Sequence, residues 1–152
     1  GIREFGFNAL LSLRLEKGFG IWSAEFTQGY TPGMTGMDRW IDWEKEEFIG
    51  QAAAIKERDG NGPAQKLVML EIDADDADAS GYEPVWNNDS LVGFVTSGGY
   101  GHTLKKSLAM ALVNNDLANE NQKLKVHVVG VEKDATVIQA SPYDPEGKVM
   151  RV

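Results

Sequence analysis

Apolar positions change their period partway along this chain. Near the start, Phe7, Leu10, Leu11 and Leu15 recur at helical spacing, and Gly18 supplies a stop. A second helical pattern runs from Glu46 to Arg58, with Phe48, Ala52 and Ile55 at i, i+4 and i+7, until Asp59-Gly60-Asn61-Gly62-Pro63 breaks it. Between them the chain is aromatic and turn-rich, predicting an extended segment, a turn at Pro32-Gly33 and a short strand from Arg39 to Trp43. After Pro63 the period becomes two. Lys66 to Ile72, Pro84 to Trp86, Leu91 to Thr96, Ser107 to Val113, Lys123 to Val129 and Ala135 to Gln139 read as six short strands. Ser107 to Val113 is apolar enough throughout to be buried. Lys123 to Val129 alternates, placing Leu124, Val126 and Val128 inward and Lys123, Lys125 and His127 outward.

These elements predict an α+β chain: a mixed helix and strand segment over residues 1–62, then a small antiparallel barrel or sandwich over 63–152. The first helix needs partners to bury its apolar face.

Composition narrows the functions. Fifteen basic residues against 23 acidic give a net charge of -8 over 152 residues, which disfavours nucleic acid and anionic membranes as partners. There is no cysteine, so thiolate metal sites and cysteine nucleophiles are excluded. His102 and His127 are far apart and lack the partner pattern of a hydrolytic triad or metal site. The longest apolar run, Leu108 to Val113, is too short to span a bilayer. With no signal peptide visible, the cytoplasm or an organelle matrix is the expected compartment.

Two stretches imitate known sites. Thr96-Ser97-Gly98-Gly99-Tyr100-Gly101-His102 lacks the spacing of a phosphate loop and reads as a strand-to-turn connection that needs positive φ. Asp76, Asp78 and Ser80-Gly81 start like a calcium loop, but position twelve is Asn87, and a solvated acidic loop is the better reading. Trp22, Trp40, Trp43 and Trp86 read first as packing residues; Trp22, six positions past Glu16, is the candidate for stacking on a flat ring. Glu16 itself sits among Leu13, Leu15 and Phe19 at a helix end. It reads either as a surface carboxylate beside Arg14 or Lys17, or as the acceptor of two adjacent donors on a planar heterocycle.

Leu13-Arg14-Leu15-Glu16 is followed by Lys17-Gly18-Phe19, Phe48-Ile49-Gly50, Gly81-Tyr82-Glu83-Pro84-Val85, Gly93-Phe94-Val95-Thr96-Ser97-Gly98 and Ser141-Pro142-Tyr143-Asp144-Pro145. In that order these motifs resemble the C-terminal portion of the tetrahydrofolate-dependent aminomethyltransferases. That family holds the glycine-cleavage T-protein and the dimethylglycine and sarcosine dehydrogenases. The resemblance implies that residues 1–62 end a folate-binding domain and that a six-stranded antiparallel β-barrel follows. It implies that Glu16 holds the pterin ring and that Tyr100 faces the folate, and Trp22, by its position, is expected as a further folate contact. For the whole enzyme it implies transfer of a methylene group from an oxidised N-methyl amine, or from the glycine-cleavage intermediate, to tetrahydrofolate. An FAD domain would lie upstream in a dehydrogenase. The essential aspartate of the family lies before the Leu-Arg-Leu-Glu motif, so no catalytic residue is expected in this chain, which alone should not catalyse the transfer. Expected partners are folate, a methylated amine, and either the preceding region of the enzyme or a second copy.

Two departures stand out. Thr31-Pro32-Gly33-Met34 has methionine where the family commonly has an acid, and Lys45 stands near a folate-contacting arginine of some T-proteins without its forked donors. A demethylase of a sulfonium osmolyte and a non-catalytic folate-binding or assembly module would share the same motifs.

Overall fold

Gly18 ends the first helix as its position predicts. In the computed structural model, which describes residues 3–151, α1 spans Phe7–Lys17 and Gly18 is left-handed at φ 74°. The Gly18 N–H donates to Leu15 O at 3.0 Å and the Phe19 N–H to Arg14 O at 2.8 Å, closing two carbonyls that a helix end leaves open. The helix face divides differently from the expected one. Leu15 is buried, whereas Phe7, Leu10 and Leu13 are exposed.

The connecting region is less regular than its sequence suggests. A four-residue helix, α2 (Pro32–Thr35), stands where a turn was expected, and Thr31 Oγ1 caps the Met34 N–H at 3.2 Å. Asp38–Trp40 form a 3-10 turn, not a strand, because Trp40 and Ile41 find carbonyl partners three residues back, in Met37 and Asp38. The second long helix, α3 (Gln51–Asp59), begins later than Glu46 because Gly50 breaks the helical run at φ 86°.

All six expected strands form: β1 (Gln65–Ile72), β2 (Pro84–Asn87), β3 (Ser90–Gly101), β4 (Lys106–Asn114), β5 (Lys123–Val128) and β6 (Val131–Ile138). They pair antiparallel in the order β1-β4-β3-β2-β5-β6 and close into a barrel, which decides between barrel and sandwich. Alternate residues from every strand fill it, including Leu70, Val85, Val95, Ala111, Val126 and Val137. Closure gives each of the six strands two partners, although β2 meets β5 at only two positions and β1 meets β6 at only four.

Strand β4 departs from the period of two because both of its faces are covered. Ala109, Ala111 and Val113 point into the barrel, while Leu108 and Met110 point outward and join Met69 and Leu15 in a second apolar cluster. That second cluster seats α1 on the outside of the barrel. Among the described residues, no helix is long and apolar enough to cross a membrane.

Strand β3 runs through the glycine-rich stretch to Gly101 rather than turning at it. Its glycines answer a close approach. A Cβ on Gly101 would stand 2.9 Å from Leu108 Cδ1 and 3.0 Å from Glu16 Cγ, so α1 can lie this near only over a bare backbone.

Candidate functional site

Four consecutive residues at the end of α1 fasten it to four places. Leu15 fills the apolar cluster on Met69, Leu108 and Met110. Arg14 Nη1 donates to Ser97 Oγ on β3 at 2.9 Å. Lys17 Nζ donates to the Asp144 carbonyl and stands 3.7 Å from Asp144 Oδ2, while the Tyr143 N–H donates to Glu16 O at 2.9 Å. Glu16 reaches the turn between β3 and β4. The segments 13–19, 93–101 and 141–145, far apart in sequence, therefore meet at one helix end.

Glu16 is 2 % exposed, which a surface carboxylate would not be. Its Oε1 accepts the Thr103 N–H at 2.7 Å and the Leu104 N–H at 2.8 Å, two charge-assisted bonds that offset the cost of burial. Both lone pairs of that oxygen are thereby engaged. Among the described residues Oε2 takes no hydrogen-bond partner. A ligand with two adjacent donors would therefore have to meet Oε2, not grip the carboxylate by both oxygens.

A second buried carboxylate lies behind the first. Glu25 is fully buried; its Oε2 accepts the Ile21 N–H at 2.8 Å and stands 3.6 Å from Arg14 Nη1, and its Oε1 accepts the Ser97 hydroxyl. Ser97 thus accepts from Arg14 and donates to Glu25. Burial pushes the Arg14 guanidinium below its ordinary pKa, and the Glu25 charge pushes it back up.

A β-bulge makes this cluster possible. Val95 pairs with the inward Ala111, but Ser97 pairs with the outward Met110, so one extra residue, Thr96, is accommodated between them. Without the bulge Ser97 would share the inward face of Val95. Sequence patterning gives no sign of this, and Glu25, Ser97 and the Thr103 and Leu104 amides were not foreseen as site groups.

Neither of the other two sequence candidates hydrogen-bonds to the Glu16 carboxylate. Trp22 is 82 % exposed and tilted against Phe26, with ring centroids 6.5 Å apart. Tyr100 accepts the Ser12 hydroxyl at its carbonyl, 2.7 Å away, and its ring meets His102 edge-on at 5.1 Å. Tyr100 also lines a cavity of about 960 Å³ at one end of the barrel, together with Lys105, Lys106 and the acidic loop after β1. A smaller cavity of about 480 Å³ lies beside the end of α1, lined by Phe19, Phe26, Met37, Trp40, Met69 and Met110. Arg39 and Thr35 also line it, and the Glu16 side chain does not. The Asp76 carboxylate belongs to an ion pair, 2.8 Å from Lys133 Nζ, and among the described residues no group of three or more acidic or histidine side chains could hold a metal ion.

Comparison with known proteins identifies the family of the barrel. Residues 65–144 match the model of the glycine cleavage T-protein C-terminal barrel domain. The mitochondrial dimethylglycine dehydrogenase of Rattus norvegicus is 37 % identical over 139 residues, covering 91 % of this chain and 16 % of that protein. The aminomethyltransferase of Synechocystis is 33 % identical over 149 residues, covering 97 % of this chain and 40 % of its own length. The crystal structure of aminomethyltransferase T from Bartonella henselae superposes with a TM-score of 0.83 at 25 % identity, over 92 % of this chain and 39 % of that one. The chain thus spans well under half the length of these relatives. With its closed barrel and the family model matched over more than half its length, this chain belongs to the glycine cleavage T-protein C-terminal barrel family.

Proposed function

We propose that this chain is the C-terminal part of a tetrahydrofolate-dependent one-carbon transferase, and that Glu16 holds the pterin ring of the folate. The observation that carries the reading is the divided Glu16 carboxylate, with Oε1 fixed by two backbone amides and Oε2 without a partner among the described residues. A carboxylate oxygen held in place, with no protein partner of its own among the described residues, is suited to accept from a ring nitrogen and its neighbouring amino group. Tetrahydrofolate, when bound, supplies the nitrogen that captures the one-carbon unit. This chain's residues bind and orient it, and the barrel behind them keeps water away.

The one-carbon donor is an N-methyl amine of the dimethylglycine or sarcosine kind. The similarity to a dimethylglycine dehydrogenase supports this donor over a sulfonium compound. In the whole protein, residues 1–62 would complete a folate-binding domain and 63–152 would form the barrel domain. A flavin domain would precede them. Phe7, Leu10 and Leu13, exposed along α1, would pack against that preceding region.

Titration with folinate, an air-stable reduced folate, followed by tryptophan fluorescence, tests the reading. Saturable quenching that weakens in Glu16→Gln is expected. A folded chain that shows no response, or a variant that binds equally well, would sink it.

A further inference from the structure

We propose that Arg14, Glu25 and Ser97 form a buried positioning device that fixes the orientation of the Glu16 carboxylate. The inference rests on the folate reading of Glu16 but concerns different residues.

The chemistry of the cluster exceeds what anchoring a helix requires. Leu15 already seats α1 in an apolar cluster. A charged pair beside it, with side chains 9 % and 0 % exposed, brings a desolvation cost that an apolar pair of similar volume would avoid. What the ions add is direction. Arg14 Nη1 is aimed at Ser97 Oγ at 2.9 Å, with Met110 Sδ at 3.9 Å, which fixes the rotation of the helix about its own axis. Glu25 accepts from the Ile21 N–H and the Ser97 hydroxyl and stands 3.6 Å from Arg14 Nη1 as an ion pair. It therefore ties the loop after α1, the helix and strand β3 at one point. Apolar contact alone would tolerate a small turn of α1. Arg14 stands two residues before Glu16, so such a turn would swing the carboxylate off Thr103 and Leu104.

The β3 bulge belongs to the same device. It turns the Ser97 hydroxyl outward toward Arg14, and four residues further along the same strand Gly101 leaves room for the Glu16 stem. Arg14, Glu25 and Ser97 are thus positioning residues that act through Glu16.

The double variant Arg14→Met with Glu25→Leu removes both charges at similar volume, so the fold is expected to survive. Two readings decide the matter. Hydrogen exchange at the Thr103 and Leu104 amides should quicken while β4 amides keep their protection, and folinate affinity should fall by about tenfold or more. Unchanged protection and unchanged affinity in a folded double variant would overturn the proposal. Should that variant not fold, Ser97→Ala keeps both charges and removes only the bridging hydroxyl; quicker exchange at Thr103 and Leu104 is expected, and none would overturn the idea. If the wild-type chain fails to bind folinate, the folate reading falls, while exchange at those two amides still decides the positioning role.

Discussion

Glu16 and Leu104 lie 88 positions apart, yet the Leu104 N–H donates to the Glu16 carboxylate at 2.8 Å. With the Thr103 N–H on the same oxygen, this bond makes Glu16 part of the fold as well as of the candidate site. The two obvious substitutions should therefore differ. Glu16→Ala leaves two amides without an acceptor and should cost about 2–5 kcal/mol, whereas Glu16→Gln retains an amide oxygen and should cost about 1 kcal/mol. Chemical denaturation of both variants checks the difference. Equal costs would mean that the two amides find other acceptors.

Adding one methyl group at Gly101 probes the same contact from the strand side. The new carbon would press on Leu108 Cδ1 and Glu16 Cγ, and Gly101→Ala should cost about 1–3 kcal/mol as α1 is pushed outward. Gly93→Ala should be worse, because its Cβ would meet the Leu112 carbonyl oxygen at 2.0 Å, and backbone in a closed sheet cannot step aside. Thermal unfolding should rank the two in that order.

Leu15→Ala should cost about 2–5 kcal/mol, since the side chain is 1 % exposed and its removal leaves a cavity on Met69, Leu108 and Met110. The loss should be local to the outer face. Amides of β5 and β6 should keep their exchange protection at mild denaturant concentrations while those of α1 lose theirs. Uniform loss across all three elements would show that helix and barrel unfold as one unit.

Acid should loosen the loop after β1. The Lys133 hydrogen bond, and then its charge, hold the Asp76 carboxyl below its ordinary pKa. A group whose pKa is lowered on folding adds stability above its unfolded value, and that contribution disappears as pH falls through the folded value. Denaturation midpoints of the wild type should therefore drop on acidification through and below the usual aspartate range. Lys133→Met should flatten that part of the profile; an unchanged slope would remove the pair from the account.

The barrel was legible because its information is local. Each strand carries its own alternation, and Leu124, Val126 and Val128 could be placed inward from six residues of sequence. The region from Phe19 to Gly50 was read less well. Its turns depend on left-handed glycines such as Gly36 and Gly50 and on single caps such as Thr31, features with no period to detect. Gly101 reads as a turn former because sequence cannot say that Glu16 of α1 lies across it. Glu16 was found through its motif, but the bonds that divide its two oxygens come from a hairpin more than eighty residues away. Glu25 and Ser97 lay outside reach for a similar reason. A lone glutamate among aromatics gives no hint that a bulge elsewhere will bring it a hydroxyl.

Ring closure of the six strands also governs how this domain can meet other copies of itself. Sheets that end in a bare strand can recruit a neighbour backbone to backbone and grow into fibrils. Here every strand has a neighbour on both sides for at least part of its length, which leaves little bare backbone to recruit another copy and gives exposed side chains such as Phe7, Trp22 and Trp40 the larger part in any self-association.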